Sequence, residues 1–257
     1  MAVPVANDKP VLVLLHGWGL NHAVWQQLLP QLTGQFSVLT PDLPGFGLAV
    51  DYPEPYRLAD VAAVVAEQIP HGSLVLGWSL GGLVATQIAL DYPEKVRALA
   101  LVASSPCFVA AEDWPGMAPL VLRQFAAALA KDVALTIDRF LAIQALGSAT
   151  ARQEIKLLKQ ALLTLPLPQS AALAGGLTVL AEVDLRPRLS ELSMPVTGCF
   201  GRLDSLVPVA MLDKLQLLLP NAALTMLPKA SHAPFISHPE EFSQWLLQWA
   251  QIMRKKE

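Results

Sequence analysis

The sequence is short of charge and almost without cysteine. Asp, Glu, Lys and Arg make up 15% of its 257 residues, against 53% apolar residues. A chain so composed can bury a large core, which excludes a disordered polymer and fits one large α/β domain or a core with an inserted subdomain. The net charge of −3 excludes the basic footprint of a nucleic-acid binder. Two cysteines, Cys107 and Cys199, make no disulfide framework, and each is expected in an apolar setting within a reducing compartment. No His/Cys/Asp cluster has ligand spacing, so no metal is expected. Gly77–Gly82 lacks the lysine of a phosphate-binding loop. No internal repeat or low-complexity tract is present.

High hydrophobicity raises the question of a membrane span. Ile69–Leu90 and Ala161–Ala181 lack Asp, Glu, Lys and Arg over roughly the length a span needs. The first holds Pro70 and four glycines; the second holds Pro166, Pro168, Gly175 and Gly176. Neither suits an uninterrupted lipid-facing helix. Met1–Pro10 has no basic region followed by an apolar one, so no signal peptide is read. The expectation is a soluble, cytoplasmic protein.

What is present centres on Leu74–Ala85. An apolar run of strand type leads into Gly77-Trp78-Ser79-Leu80-Gly81, and a run of helical spacing leaves it. That pattern holds a serine on a sharp strand-to-helix turn, with its hydroxyl clear of the backbone. The strained turn needs small neighbours, which Gly77 and Gly81 supply. The helix start also directs unpaired N–H groups at the serine, where charge develops in acyl transfer.

Around this turn the chain alternates. Val11–Leu15 and Val96–Ala103 read as buried strands, Leu74–Trp78 as the strand leading into the turn, and Phe36–Thr40 as strand-like; Ala23–Leu32, Leu58–Ile69 and Leu80–Leu90 read as helices. Such alternation implies βαβ units and a parallel sheet with helices on both sides. From Ser104 to Ser193 the pattern is helical only: Leu120–Leu129, Val133–Leu146, Ala151–Leu163 and Ala171–Ala181. Strands return at Pro195–Phe200 and Ala222–Leu227, with helices at Met211–Leu219 and Pro239–Lys255. In the last helix Phe242, Trp245, Leu246, Trp249, Ile252 and Met253 form a core-facing stripe. The expected division is a core over 1–104, a helical insertion over 105–190, and the rest of the core over 191–257.

A serine needs a base to take its proton and an acid to orient the base. In this architecture they follow in the order Ser, Asp or Glu, His, in loops after strand ends. Asp204 follows the Pro195–Phe200 strand and His232 follows the last one. His238 reads as a turn residue before Pro239, His22 and His71 as surface residues, and His16 as a shaper of its loop. Asp184 ranks below Asp204, and Asp42 fixes its own turn. Two N–H donors must meet the developing oxyanion: Leu80, after the serine, and Trp18, after the first strand.

With these residues in place the chain resembles the α/β-hydrolase superfamily. More narrowly it is similar to the pimeloyl-[acyl-carrier protein] methyl ester esterases of biotin synthesis. The likeness rests on Leu14–Asn21, Asp42–Gly47, Leu76–Ala85, Ala103–Phe108 and His232–Pro239. Leu48, where such proteins usually carry a basic residue, and the short N-terminus depart from it. The resemblance implies an α/β-hydrolase fold, a mostly parallel twisted sheet with a four-helix lid. It implies an acyl substrate touching Trp18, Ser79, Leu80 and the segment Phe140, Leu141, Ala142, Ile143, Gln144. It also implies hydrolysis of a methyl ester on a carrier-bound pimeloyl chain, without a cofactor.

Between Leu120 and Leu165 six basic residues (Arg123, Lys131, Arg139, Arg152, Lys156, Lys159) stand against Asp132, Asp138 and Glu154, a net +3. Acyl-carrier proteins are acidic, so Arg139, Arg152 and Lys156 are candidates for docking the carrier; an ordinary solvated helix face is the alternative. A monomer is expected. Rival readings on the same scaffold are a short-chain carboxylesterase, a carbon–carbon bond hydrolase, or a receptor that does not turn over.

Overall fold

The computed structural model describes residues 9–254. Lys255 and most of the stretch read for a signal peptide lie outside the described residues. Strands β1 (Val11–Leu15), β2 (Ser37–Leu39), β3 (Ser73–Trp78), β4 (Val96–Val102), β5 (Val196–Gly201) and β6 (Ala223–Leu227) form one sheet. Their order is β2-β1-β3-β4-β5-β6, and each neighbouring pair is parallel. The chain leaves β1 toward one edge and returns at β3 on its other side. The crevice beyond the strand ends there is where open α/β sheets bind ligands.

Helices α2 (Leu58–Ala66), α3 (Leu80–Asp91), α8 (Met211–Leu218) and α10 (Pro239–Arg254) accompany the sheet, with short α1 (Leu29–Leu32) and α9 (Pro234–Ser237). Between β4 and β5 lie α4 (Pro119–Leu129), α5 (Val133–Gln144), α6 (Ala151–Leu163) and α7 (Ser170–Glu182). Every residue of β3, and α3 from Leu80 to Ala89, is buried. This central hairpin of strand and helix is apolar all round because it has a neighbour on every side. From Ser73 to Ala89 the run Ile69–Leu90, which lacks Asp, Glu, Lys and Arg, is therefore core. No helix among the described residues is long and apolar enough to cross a membrane.

Two helical readings need correction. Ala23–Leu32 is not one helix but a 3₁₀ turn, His22–Trp25, followed by α1. Asn21 caps the turn by accepting the Ala23 N–H at 3.0 Å, and three-residue bonds such as Leu28 N–H to Trp25 O (2.8 Å) carry it on. Pro30, without an N–H, falls in the first turn of α1. Trp25, Leu28 and Leu32 are buried all the same, so apolar spacing alone did not distinguish the two forms. In α10, Phe242, Leu246, Trp249 and Met253 are buried, but Ile252 is 53% exposed, just off the packed stripe.

The elbow depends on backbones approaching where no Cβ intervenes. A Cβ on Gly77 would collide with the Gly81 carbonyl and come within 2.5 Å of the Gly82 Cα; one on Gly81 would strike the carbonyls of Leu15 and His16. Gly77→Ala is therefore expected to lower unfolding free energy by more than about 3 kcal/mol. Gly34→Ala, whose added methyl meets nothing within 4 Å, should stay within about 0.5 kcal/mol of the parent. Urea denaturation of both variants checks this.

Candidate active site

Ser79 stands between β3 and α3 with φ 55° and ψ −120°, a conformation non-glycine residues rarely adopt. Its N–H donates to Val102 O at 3.0 Å. Its carbonyl accepts the Gly82 N–H at 2.9 Å and the Ser104 hydroxyl at 2.8 Å. The strain, about 1–3 kcal/mol for such a residue, is thus held by bonds to β4 and the loop after it.

Asp204 and His232 come to the same place from the ends of β5 and β6. The Ser79 hydroxyl lies 2.9 Å from His232 Nε2, and His232 Nδ1 lies 2.7 Å from Asp204 Oδ2. Asp204 Oδ1 accepts the N–H groups of Leu206 (2.8 Å) and Val207 (3.0 Å). With Nδ1–H donating to the carboxylate, Nε2 is left to accept from the serine. All three residues are buried, Ser79 with 2% of its surface exposed.

The loop after β1 abuts the serine: a Cβ on Gly17 would lie 3.2 Å from the Ser79 Cβ. Leu80, first residue of α3, has an N–H beyond the reach of the helix's own carbonyls. The Trp18 indole donates to Leu173 O of α7 at 2.8 Å and packs edge-on against Phe140, centroids 4.7 Å apart. Gly176 of α7 lets the helix settle here, since a Cβ would reach 2.7 Å from Trp18 Cδ1 and 3.4 Å from Leu80 Cδ2. Phe140, Leu141 and Gln144 are buried, Ile143 partly so, while Ala142 is exposed and stands apart from them. Gln144 Oε1 is buried with no hydrogen-bond partner among the described residues. Arg139, Arg152 and Lys156 are all exposed, on α5 and α6. Asp138 pairs with Lys159 at 2.8 Å across the same two helices.

Other histidines and acids fall elsewhere. His238 precedes α10, and Asp184 pairs with Arg186 at 2.6 Å on the surface. His22, read as a surface residue, is half-buried, and its Nδ1 lies 2.8 Å from Asp42 Oδ2. Asp42 does more than fix its own turn: it accepts the His22 N–H (2.6 Å) and the Leu48 N–H (2.9 Å), joining the loops after β1 and β2. Among the described residues no group of three His, Cys, Asp or Glu could hold a metal ion.

Several partners of the site escaped sequence reasoning. Trp78, beside the serine, donates its indole N–H to His232 O at 2.8 Å. The His232 N–H donates to Gln144 O of α5 at 3.1 Å. Glu154 of α6, buried, accepts the hydroxyl of Ser231 at 2.8 Å. The one sequence signal for Glu154 is its place in the stripe Glu154, Leu158, Leu162, an acid where an apolar residue belongs.

A buried serine–imidazole–carboxylate line at the strand ends of a parallel sheet defines the class. The chain belongs to the α/β-hydrolase fold family, whose profile matches residues 10–239. Within that family it is 52% identical to the pimeloyl-[acyl-carrier protein] methyl ester esterase of Aeromonas hydrophila, over 92% of this chain and 93% of the relative. It is 48% identical to the protein of that name from Pectobacterium atrosepticum, over 93% and 94%. Among solved structures, an esterase from Exiguobacterium antarcticum shares the fold with a TM-score of 0.83 at 21% identity, over 95% of this chain and 92% of that one.

His16 supplies a test of the site's frame. It is fully buried; Nε2 accepts the Leu43 N–H at 3.0 Å and Nδ1 donates to Gly17 O at 2.9 Å. Loss of hydration lowers its pKa below 6.5, outweighing the opposing pull of Asp42. The unfolded chain then binds more protons between the folded value and 6.5, so stability present above 6.5 is lost as pH falls through that window. Urea midpoints should drop on acidification below about pH 6.5, and less steeply in His16→Gln.

Proposed function

We propose that this chain is a serine carboxylesterase that removes the methyl group from pimeloyl-[acyl-carrier protein] methyl ester, freeing the ω-carboxylate for biotin synthesis. The observation that carries the reading is the unbroken line Ser79 Oγ, His232 Nε2, His232 Nδ1, Asp204 Oδ2, with contacts of 2.9 and 2.7 Å. Extended similarity to proteins named for that reaction supports the substrate.

In this reading His232 takes the Ser79 proton as the oxygen attacks the ester carbonyl, and Asp204 holds the imidazole in the required tautomer. The Leu80 and Trp18 N–H groups meet the oxyanion. His232 then protonates the departing methoxide, an acyl-enzyme remains, and water repeats the sequence to release the acid. No step calls for a cofactor. The helical insertion, 105–190 between core segments 1–104 and 191–257, acts as the lid. Trp18, Leu80, Phe140, Leu141, Ile143 and Gln144 line the acyl site from core and lid; Ala142 supports the segment from outside. The acidic carrier docks on Arg139, Arg152 and Lys156. The enzyme works as a cytoplasmic monomer.

Ser79→Ala should lose about a millionfold in kcat on a pimeloyl methyl ester while its urea midpoint stays close to the parent's. Ordinary turnover by the variant would place the nucleophile elsewhere. Reversing Arg139, Arg152 and Lys156 to Glu should cut kcat/KM for the carrier-bound ester at low salt by about tenfold or more, far beyond its effect on a p-nitrophenyl ester. Equal effects on both substrates would remove the docking surface.

A further inference from the structure

Glu154 is a carboxylate that the chemistry above does not use. It is 1% exposed, in the first turn of α6, and no ion pair to it is found among the described residues. Among the described residues its oxygens accept only hydroxyls: Ser231 at 2.8 Å on Oε2, Thr150 at 2.8 Å on Oε1, and Ser148, also on Oε1. Burying a carboxylate without a cation is costly, and an apolar residue would fill the stripe of α6 without that cost. Three hydroxyl donors and the positive end of the helix offset it. What the arrangement achieves is a fixed point on Ser231, the residue before the base of the triad.

That segment is held at five points. Trp78 holds the His232 carbonyl, and Leu203 N–H bonds Ala230 O at 2.9 Å. Gly201 lies so close beneath that a Cβ would strike the Ser231 carbonyl. The two remaining holds come from the insertion: Gln144 O on the His232 N–H, and Glu154 on the Ser231 hydroxyl. The Gln144 hold is backbone; the Glu154 hold is a side chain and can be removed.

We propose that Glu154, acting through Ser231, is a positioning residue: it sets the register of His232 against Ser79, so that the insertion and the base of the triad form one mechanical unit. The inference rests on the esterase reading for its consequence in turnover, and on the geometry alone for its effect on the serine. A displaced imidazole slows proton transfer without weakening ester binding, so the effect falls on kcat.

The test compares Glu154→Ala, Ser231→Ala, their double variant and Glu154→Gln by turnover of p-nitrophenyl butyrate, by the rate of Ser79 labelling with a fluorophosphonate, and by urea midpoint. Per folded molecule, Glu154→Ala and Ser231→Ala should each lose about tenfold in kcat and in labelling rate, with KM within about twofold. The double variant should be no worse than the more impaired single one, because both cut one link. Glu154→Gln, whose amide oxygen still accepts the Ser231 hydroxyl, should recover at least half the parental kcat. Additive losses, parental labelling rates in folded Glu154→Ala and Ser231→Ala, or a Glu154→Gln as impaired as the alanine would each overturn the proposal. Slower labelling in the two alanine variants of a protein that turns over no ester would sustain the positioning and sink the esterase reading; parental labelling beside ordinary ester turnover would do the reverse.

Discussion

Ser79 keeps its positive φ because backbones close around it with nothing between them. Gly77, Gly81 and Gly82 stand where a methyl group would strike, respectively, the Gly81 carbonyl, the Leu15 carbonyl and the Ser104 side chain. Each contact joins the turn at Ser79 to a different neighbour: its own helix, the end of β1, the loop after β4. A single strained residue could relax by shifting its turn; one bonded at N–H and carbonyl to two flanking segments cannot. The fold spends stability here to present a hydroxyl at a fixed place, and the rest of the core supplies what holds it.

Around that serine the buried carboxylates Asp204, Asp42 and Glu154 are each held by hydrogen-bond donors. Asp204 shares its two oxygens between the imidazole and two backbone N–H groups. Asp42 binds two backbone N–H groups and the His22 ring. Glu154 collects hydroxyls. An unpaired carboxylate at any of these depths would cost several kcal/mol, so each also acts as a register mark, tolerating one arrangement of its loops. In this way loops after β1, β2, β5 and β6 are fixed by polar contacts while the strands carrying them are fixed by apolar packing.

These two modes of fixation differ in how far they can be read from sequence. Strands buried on both faces announce themselves as largely apolar runs, and β1, β3, β4 and β5 lie within a residue of where those runs are. The triad positions are legible because topology orders them: the serine between a strand and a helix, the acid and base after later strands. Short-range competition is less legible. At Asn21 a side chain captures a backbone N–H and turns an apparent helix into a 3₁₀ turn, although the apolar spacing is unchanged. Ile252 belongs by period to the face of α10 yet lies exposed, because the packed width of a stripe depends on what covers it. Least legible are partners contributed across the fold. Glu154 and Ser231 are 77 residues apart, and neither spacing nor propensity relates them.

The insertion therefore does more than cover the site. It contributes a carbonyl and a carboxylate to the segment bearing His232, accepts the Trp18 indole at Leu173, and rests α7 on Trp18 and Leu80 across the gap at Gly176. Ser79, 2% exposed, lies beneath these contacts. Those on α7 touch Trp18 and Leu80; that on α5 touches His232, and that on α6 touches Ser231. A shift of α7 alone would leave the two holds on the segment bearing the imidazole intact, whereas a shift of α6 would pull on Ser231. The holds of the insertion on the segment bearing the base are thus borne by α5 and α6, and its packing on Trp18 and Leu80 by α7.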